Sequence, residues 1–164
     1  MSQTVCVVFD ILRATTTMLT ALSNGAEEIS PVAAISEALA LRAQQPEVLL
    51  AGEREGLRIR AKLTGGIDFD FGNSPREFIP EKVRAKKIVM TTTNGTRALR
   101  ACARAKEVLV AAFLNLRAVA NWIERARPAN LLLICSGTLD QVAYEDVLAA
   151  GALCDLIGTL YDGG

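Results

Sequence analysis

The stretch Met90-Thr91-Thr92-Thr93-Asn94-Gly95-Thr96-Arg97 combines threonine hydroxyls, an Asn-Gly turn and an arginine where a strand gives way to a helix. Backbone N–H groups at a helix start, flanked by hydroxyls, attract oxyanions. The same residues also read as a β-branched strand end capped by Thr93 or Asn94, or as a hairpin turn. Asp10 and Arg13 form a second group at a strand end. A carboxylate there can hold a metal or attack phosphorus, and a guanidinium three residues on can clamp a phosphate. Asp10 is equally a good helix cap, and Arg13 a surface charge. Gly52-Glu53-Arg54 sets a carboxylate beside a guanidinium, either for a substrate or as a weak solvated pair. Glu145-Asp146 can complete a magnesium site, which takes oxygen ligands, or sit favourably at a helix N-terminus.

Absences narrow the chemistry further. The 164 residues contain no histidine, which removes Ser-His-Asp and Cys-His catalysis and any imidazole metal site. No GxxxxGK[ST] is present, and no GxGxxG follows the first strand. None of the four cysteines, Cys6, Cys102, Cys135 and Cys154, has an arginine six positions later, as a cysteine phosphatase requires. Leu12 stands where haloacid-dehalogenase chemistry needs a second aspartate. The cysteines lack zinc-like spacing, and three of them read as small core hydrophobes in a reducing compartment. Eighteen basic residues balance eighteen acidic ones, which argues against a nucleic-acid surface. No leader or membrane-length apolar run is evident, so a cytoplasmic protein without a membrane partner is expected.

Magnitudes set a minimum for any hydrolysis of phosphate esters. The slowest such reactions need roughly 10²¹-fold acceleration, or about 28 kcal/mol at about 1.36 kcal/mol per tenfold. A helix terminus contributes only about 0.3–2 kcal/mol. Several groups must therefore act together: an arginine, an activated nucleophile and a metal.

The elements that must position these groups alternate along the chain. Apolar runs at Val5–Phe9, Glu28–Val32, Val48–Ala51, Lys87–Met90, Glu107–Ala112 and Leu131–Cys135 read as six strands. Helical periodicity covers Ala14–Ser23, Ile35–Ala43, Thr96–Ala105, Asn115–Arg125 and Ala143–Leu160. This is the βαβ pattern of a single α/β domain with a mostly parallel sheet of about six strands. Between Gly52 and Pro80 the periodicity dissolves, which predicts a long loop covering a site. In open parallel sheets ligands bind beyond the carboxyl ends of the strands. Asp10, Glu53, Thr91–Arg97, Asn115 and Ser136-Gly137 all fall there.

Taken in order, these motifs resemble the 2-phosphosulfolactate phosphatase (ComB) family. The matching stretches are FDILRATTT at Phe9–Thr17, AGEREG at Ala51–Gly56, DFGNSP at Asp70–Pro75 and TTTNGTRAL at Thr91–Leu99. Phe113-Leu114-Asn115, Cys135-Ser136-Gly137 and Glu145-Asp146 continue the series. The resemblance implies a three-layer α/β/α fold and a magnesium-dependent phosphatase. Its substrate would be 2-phospho-3-sulfolactate, or a related phosphorylated hydroxy acid, and its product sulfolactate, an intermediate in coenzyme M biosynthesis. Residues 1–164 would form one ComB-like domain, shortened at both ends relative to the family.

The expected arrangement puts Mg2+ on Asp10 with Glu145 or Asp146. Thr92, Thr93, Asn94, Gly95 and Thr96 cradle the phosphate, while Arg13 and Arg97 neutralise it. Glu53 and Arg54, with Asn73 and Ser74, take the carboxylate or sulfonate end, and Asn115, Ser136 and Gly137 complete the binding surface. A homodimer through apolar helices such as 143–160 fits the pattern. Two rivals use the same strand ends: a nucleotide- or cofactor-dependent α/β enzyme, and a non-catalytic sensor of phosphorylated acids.

Overall fold

Val5-Cys6-Val7-Val8-Phe9 is apolar at every position, as befits a strand covered on both faces. In the computed structural model, which describes residues 3–139, 141–158 and 161, it lies in β1 (Thr4–Phe9). The other strands are β2 (Glu28–Pro31), β3 (Leu49–Arg54), β4 (Leu57–Arg58), β5 (Lys87–Thr91), β6 (Glu107–Ala111) and β7 (Asn130–Cys135). The helices are α1 (Ala14–Ser23), α2 (Ile35–Gln44), α3 (Ala61–Thr64), α4 (Pro80–Val83), α5 (Gly95–Ala101), α6 (Leu116–Ala126) and α7 (Tyr144–Ile157). Within the expected helix 143–160, Leu160 lies outside the described residues, as do Asp162, Gly163 and Gly164.

The α/β class is as expected, but the strands are divided differently. β1 pairs in parallel with β6 on one side and β7 on the other, giving a three-stranded sheet. A second sheet has the order β2-β5-β3-β4, parallel except for the antiparallel β3–β4 pair. Local periodicity recognises a strand but not its partner, so one sheet of about six strands becomes two sheets with an additional short strand.

The period-two alternation of side chains explains how the sheets share a core. Cys6 and Val8 of β1 pack in one cluster with Met18 and Ala21 of α1, Leu99 of α5 and Ile88 and Met90 of β5. The intervening residues Val7 and Phe9 join a second cluster with α6 and α7, through Val119, Ile123, Ala149 and Leu153. Val89 of β5 turns the other way, into a third cluster with Leu50, Ile59, Phe69 and Ala38 of α2.

The expected loop from Gly52 to Pro80 is corrected by these clusters. β3 continues to Arg54, and Glu55 (φ 54°) and Gly56 (φ 76°) make a two-residue turn into β4. Positive φ at both turn positions is the geometry that matches strand twist in tight hairpins. Ile59, Phe69 and Phe78 are fully buried, and Asp70 pairs with Arg42 at 2.8 Å while accepting the Leu50 N–H at 2.7 Å. Most of this segment is packed structure made of pieces too short to show a period.

The cysteine expectation also changes, because Cys6 and Cys102 are buried but Cys135 and Cys154 are exposed. Among the described residues no helix is long and apolar enough to cross a membrane.

Candidate active site

Four strands end on the same side of the molecule's core, and their last residues meet. Asp10 follows β1, Glu53 lies near the end of β3, Thr93 and Asn94 follow β5, and Thr138 follows β7. They surround a pocket of about 510 Å³. Of the residues expected from the sequence, Asp10, Arg13, Glu53, Asn73, Thr93 and Asn94 line it. Leu12, Glu55, Gly56, Thr138 and Leu139 complete the wall. The Glu55-Gly56 turn had a compositional signal, whereas Leu139 had none, being an exposed apolar residue in a loop.

Asp10 is 8% exposed, and its Oδ1 accepts the Ala14 N–H at 3.1 Å. Burial pushes its carboxyl up from 3.8 to about 6, against the Ala14 N–H, which favours the charged form. The neighbouring Asp146 charge pushes it up again, and the Arg13 and Gly95 N–H groups pull it down. α5 packs so closely here that a Cβ on Gly95 would collide with Asp10 Oδ2 and Ala14 Cβ. The missing side chain of Gly95 thus leaves room for the carboxylate. The Asp10 backbone is fixed by Thr15, whose hydroxyl accepts the Asp10 N–H at 3.1 Å and donates to the Asp10 carbonyl at 2.8 Å.

Glu53 is almost equally buried, but its hydrogen bonds are filled. Its Oε1 accepts the Thr93 N–H at 2.7 Å, and its Oε2 accepts the Gly56 N–H at 2.8 Å and the Thr93 hydroxyl at 3.2 Å. The carboxylate therefore braces the β5 turn against the hairpin tip. Arg13 reaches across the pocket mouth to the Gly56 carbonyl at 3.3 Å, a long contact that leaves most of its donors unused. Asn73 Oδ1 is buried without a hydrogen-bond partner among the described residues, an acceptor waiting for a donor.

Residues 1–163 match the family model for 2-phosphosulpholactate phosphatase. The chain belongs to that family. A protein named probable 2-phosphosulfolactate phosphatase from Caldanaerobacter subterraneus subsp. tengcongensis is 42% identical over 158 residues, covering 95% of this chain and 62% of the relative. The Pseudothermotoga lettingae protein of the same name is 44% identical over 163 residues, covering 98% and 66%. Its Thermotoga maritima namesake is 43% identical over 147 residues, covering 90% and 60%. The chain thus spans less than two thirds of the length of these relatives.

Other family-motif residues are hydrogen-bonded to one another or lie beside the pocket. Thr92 and Thr96 satisfy each other: the Thr92 N–H donates to the Thr96 hydroxyl at 2.9 Å, and the Thr96 N–H donates to the Thr92 hydroxyl at 3.1 Å. Of the Thr92–Thr96 cradle, Thr93 and Asn94 line the pocket. Arg54 turns away to donate to the Glu53 carbonyl at 2.6 Å and the Thr91 hydroxyl at 2.9 Å. Asn115 closes the turn between β6 and α6, accepting the Ala112 N–H and donating to the Val110 carbonyl, both at 2.9 Å. Ser74 is half-buried outside the pocket lining, and Arg97 and Ser136 line an adjacent hollow.

Asp146 lies beside Asp10, tying β1 to β7. Its Oδ1 accepts the Ile11 N–H at 2.8 Å and its Oδ2 the Gly137 N–H at 3.1 Å. Burial also pushes this carboxyl upward, while the Ile11 and Gly137 N–H groups pull it down. Among the described residues no three acidic or thiol side chains converge into a metal-binding group, and of the three expected metal ligands only Asp10 lines the pocket, Glu145 and Asp146 lying outside its lining. Asp10 and Asp146 nevertheless suit magnesium, which commonly takes one or two carboxylates and keeps several waters. Both carboxylates retain lone pairs, and neither has an ion-pair partner among the described residues. A divalent cation would offset the burial, and the smaller Asp146 repulsion, that raise Asp10.

Proposed function

We propose that the protein is a magnesium-dependent phosphatase that hydrolyses 2-phospho-3-sulfolactate, or a related phosphorylated hydroxy acid, to sulfolactate and phosphate. The observation that carries this reading is the pairing of a buried Asp10, with a carboxyl near 6, and the underused donors of Arg13 across one pocket of about 510 Å³. Family membership supplies the substrate class, since the relatives are named probable 2-phosphosulfolactate phosphatases. The reaction sequence in which the product belongs would be coenzyme M biosynthesis.

Arg13 pairs with the phosphoryl oxygens, and the Thr93 hydroxyl and Asn94 amide orient them. Glu53 keeps Thr93 and the hairpin tip in register. Asp10, with Asp146, would hold magnesium, whose charge offsets that developing on the phosphoryl and leaving oxygens. Cation and proton compete for Asp10, so binding strengthens as pH rises through about 6. Water forms the new P–O bond and gives up a proton, the ester P–O bond breaks, and the departing alkoxide oxygen takes that proton to become the hydroxyl of the product. Asn73 Oδ1 accepts a hydroxyl or water proton at the pocket wall.

The same reading includes a cytoplasmic protein with no nucleic-acid partner, supported by equal numbers of acidic and basic residues. A homodimer is supported by Val147 and Leu148, which expose an apolar side of α7. The implied three-layer α/β/α arrangement also belongs to this proposal.

Phosphate release from phosphosulfolactate and other phosphorylated hydroxy acids, with magnesium or with a chelator, tests the function. Turnover only with magnesium is expected. Full release in chelator eliminates the metal, and ligand-induced thermal stabilisation without release favours a sensor. Tight nucleotide binding at Thr93-Asn94 would favour a nucleotide-dependent enzyme.

A further inference from the structure

Asn94 divides the main pocket from a second hollow of about 360 Å³, and it lines both. The other walls of the hollow are Arg97, Ala98, Ala101, Cys135 and Ser136. Three polar side chains face this space without evident employment. The Asn94 side chain makes no capping hydrogen bond to α5, although the residue occupies the cap position. Arg97 is exposed and has no ion pair among the described residues. Ser136 Oγ is buried and has no hydrogen-bond partner among the described residues. A guanidinium, an amide and a buried hydroxyl around one hollow supply donors for an oxyanion.

Charge in the main pocket strengthens the case. Its wall carries the acidic side chains of Asp10, Glu53 and Glu55 against the single guanidinium of Arg13. A molecule bearing phosphate and further anionic groups cannot place all of them favourably there, even with one divalent cation. Arg54, the other basic side chain at these strand ends, is engaged with Glu53 and Thr91. Arg97 is the cationic side chain of the adjoining hollow.

We infer that this hollow is the subsite for the substrate's second oxyanion, the sulfonate (or the carboxylate that replaces it, as in malate) borne by the carbon beyond the phosphate-bearing one, with Arg97 as its charge partner. The assignment rests on the phosphatase reading and deepens it. Arg97 then acts in substrate selection rather than in neutralising the transferred phosphate, and Asn94 touches both ends of the bound molecule.

Calorimetric titration of the 164-residue chain, in magnesium buffer, tests this with sulfolactate, malate and lactate. Malate carries a carboxylate in place of the sulfonate, and lactate lacks a second oxyanion. Sulfolactate and malate are expected to bind at least about tenfold more tightly than lactate, about 1.4 kcal/mol. R97A should bring sulfolactate down to the lactate level, R97K should restore part of the difference, and R100A, which removes an exposed charge from the same helix, should bind as the parent does. Equal sulfolactate affinity in R97A and parent overturns the subsite, as does an equal loss for lactate. Failure of the parent to bind sulfolactate overturns it too. No phosphate ester is present in these titrations. Binding that behaves as expected alongside absent phosphate release would end the phosphatase reading and leave the subsite standing.

Discussion

Two strand ends carry an acid followed by an arginine, and they differ in what surrounds them. After β1, the Asp10 carboxylate accepts the Ala14 N–H at 3.1 Å with only weaker pulls from the Arg13 and Gly95 N–H groups, and Arg13 makes one long contact. At the end of β3, Glu53 accepts three hydrogen bonds and Arg54 donates three. Both acids are less than a tenth exposed. Burial alone therefore does not separate the two acids; the number of satisfied hydrogen bonds does, and under the proposed function it is the less satisfied one that reacts. Asp10 has its carboxyl raised to about 6 because its environment compensates poorly for lost water. Glu53 is held as a brace, and the pair at β3 shapes the wall against which the pair at β1 can work.

The sharpest way to break this contrast is Asp10→Asn. Phosphate release should fall by at least ~10³-fold, as for loss of a central catalytic group. Stability should move in the opposite direction. The folded protein holds a proton on Asp10 up to about 6, whereas an ordinary carboxyl has lost it above 3.8. Stability of the parent thus falls as pH rises between those values, and the deficit persists above them. Asparagine has no charge to desolvate, so D10N should be more stable than the parent at pH 7 by ~1–3 kcal/mol, read by denaturant unfolding. The gap should close below about pH 4, where the parent's Asp10 is protonated in both states. Magnesium should stabilise the parent at pH 8 and leave D10N unmoved. Parent-like turnover, or no stability gain at pH 7, would remove Asp10 from its side of the comparison.

Gly95→Ala attacks the same site without touching its charges. The added methyl meets Asp10 Oδ2 and Ala14 Cβ, so either α5 or the loop after β1 must shift. Overpacking of this kind destabilises by ~1–3 kcal/mol. A displacement near 1 Å at a reacting group can lower turnover by ~10²-fold. Thermal unfolding and kcat, measured together, check both effects. Unchanged kcat would mean that the Asp10 position tolerates movement and that close packing there is incidental.

What the sequence made legible follows the same division. Asp10, Arg13, Thr93 and Asn94 were identifiable because parallel strands deliver their carboxyl ends to one edge, and polar residues there stand out against apolar runs. Nothing in the sequence separates Arg13 from Arg54, or Asn73 from Asn115. Each pair has the same residue type near a strand end or turn, and only the folded hydrogen-bond pattern shows which member is engaged. The two-sheet division was hidden for a related reason, since pairing partners are set by distant segments. Ile59, Phe69 and Phe78 carry no periodic signal because they sit in short pieces, where neither period 2 nor period 3.6 repeats enough to register.

Glu53→Gln sharpens the other side. The amide retains one acceptor oxygen but turns its NH₂ toward at least one existing donor, at Thr93 or Gly56. Leaving a buried donor unmatched destabilises by ~1–3 kcal/mol. Turnover should fall about tenfold through misplacement of Thr93, well short of the D10N loss. Denaturant unfolding and steady-state kinetics at saturating magnesium measure the two. A loss as large as that of D10N in a protein of parent stability would place Glu53 in the chemistry itself.

Arg54→Met should have the smallest effect and is the finest test. Methionine keeps an unbranched apolar stem while removing the charge and the hydrogen bonds to Glu53 and Thr91. Burial already lowers the pKa of this guanidinium, with the Glu53 charge opposing the shift. Losing the charge therefore removes a desolvation penalty together with the bonds, and the net loss should be only ~1–2 kcal/mol. KM should stay within about threefold of the parent, since the side chain faces Thr91 and not the pocket. A tenfold rise in KM at unchanged stability would show that Arg54 reaches the substrate. Filled hydrogen bonds would then no longer mark a structural charge at these strand ends, and the division between the two acid–arginine pairs would fail.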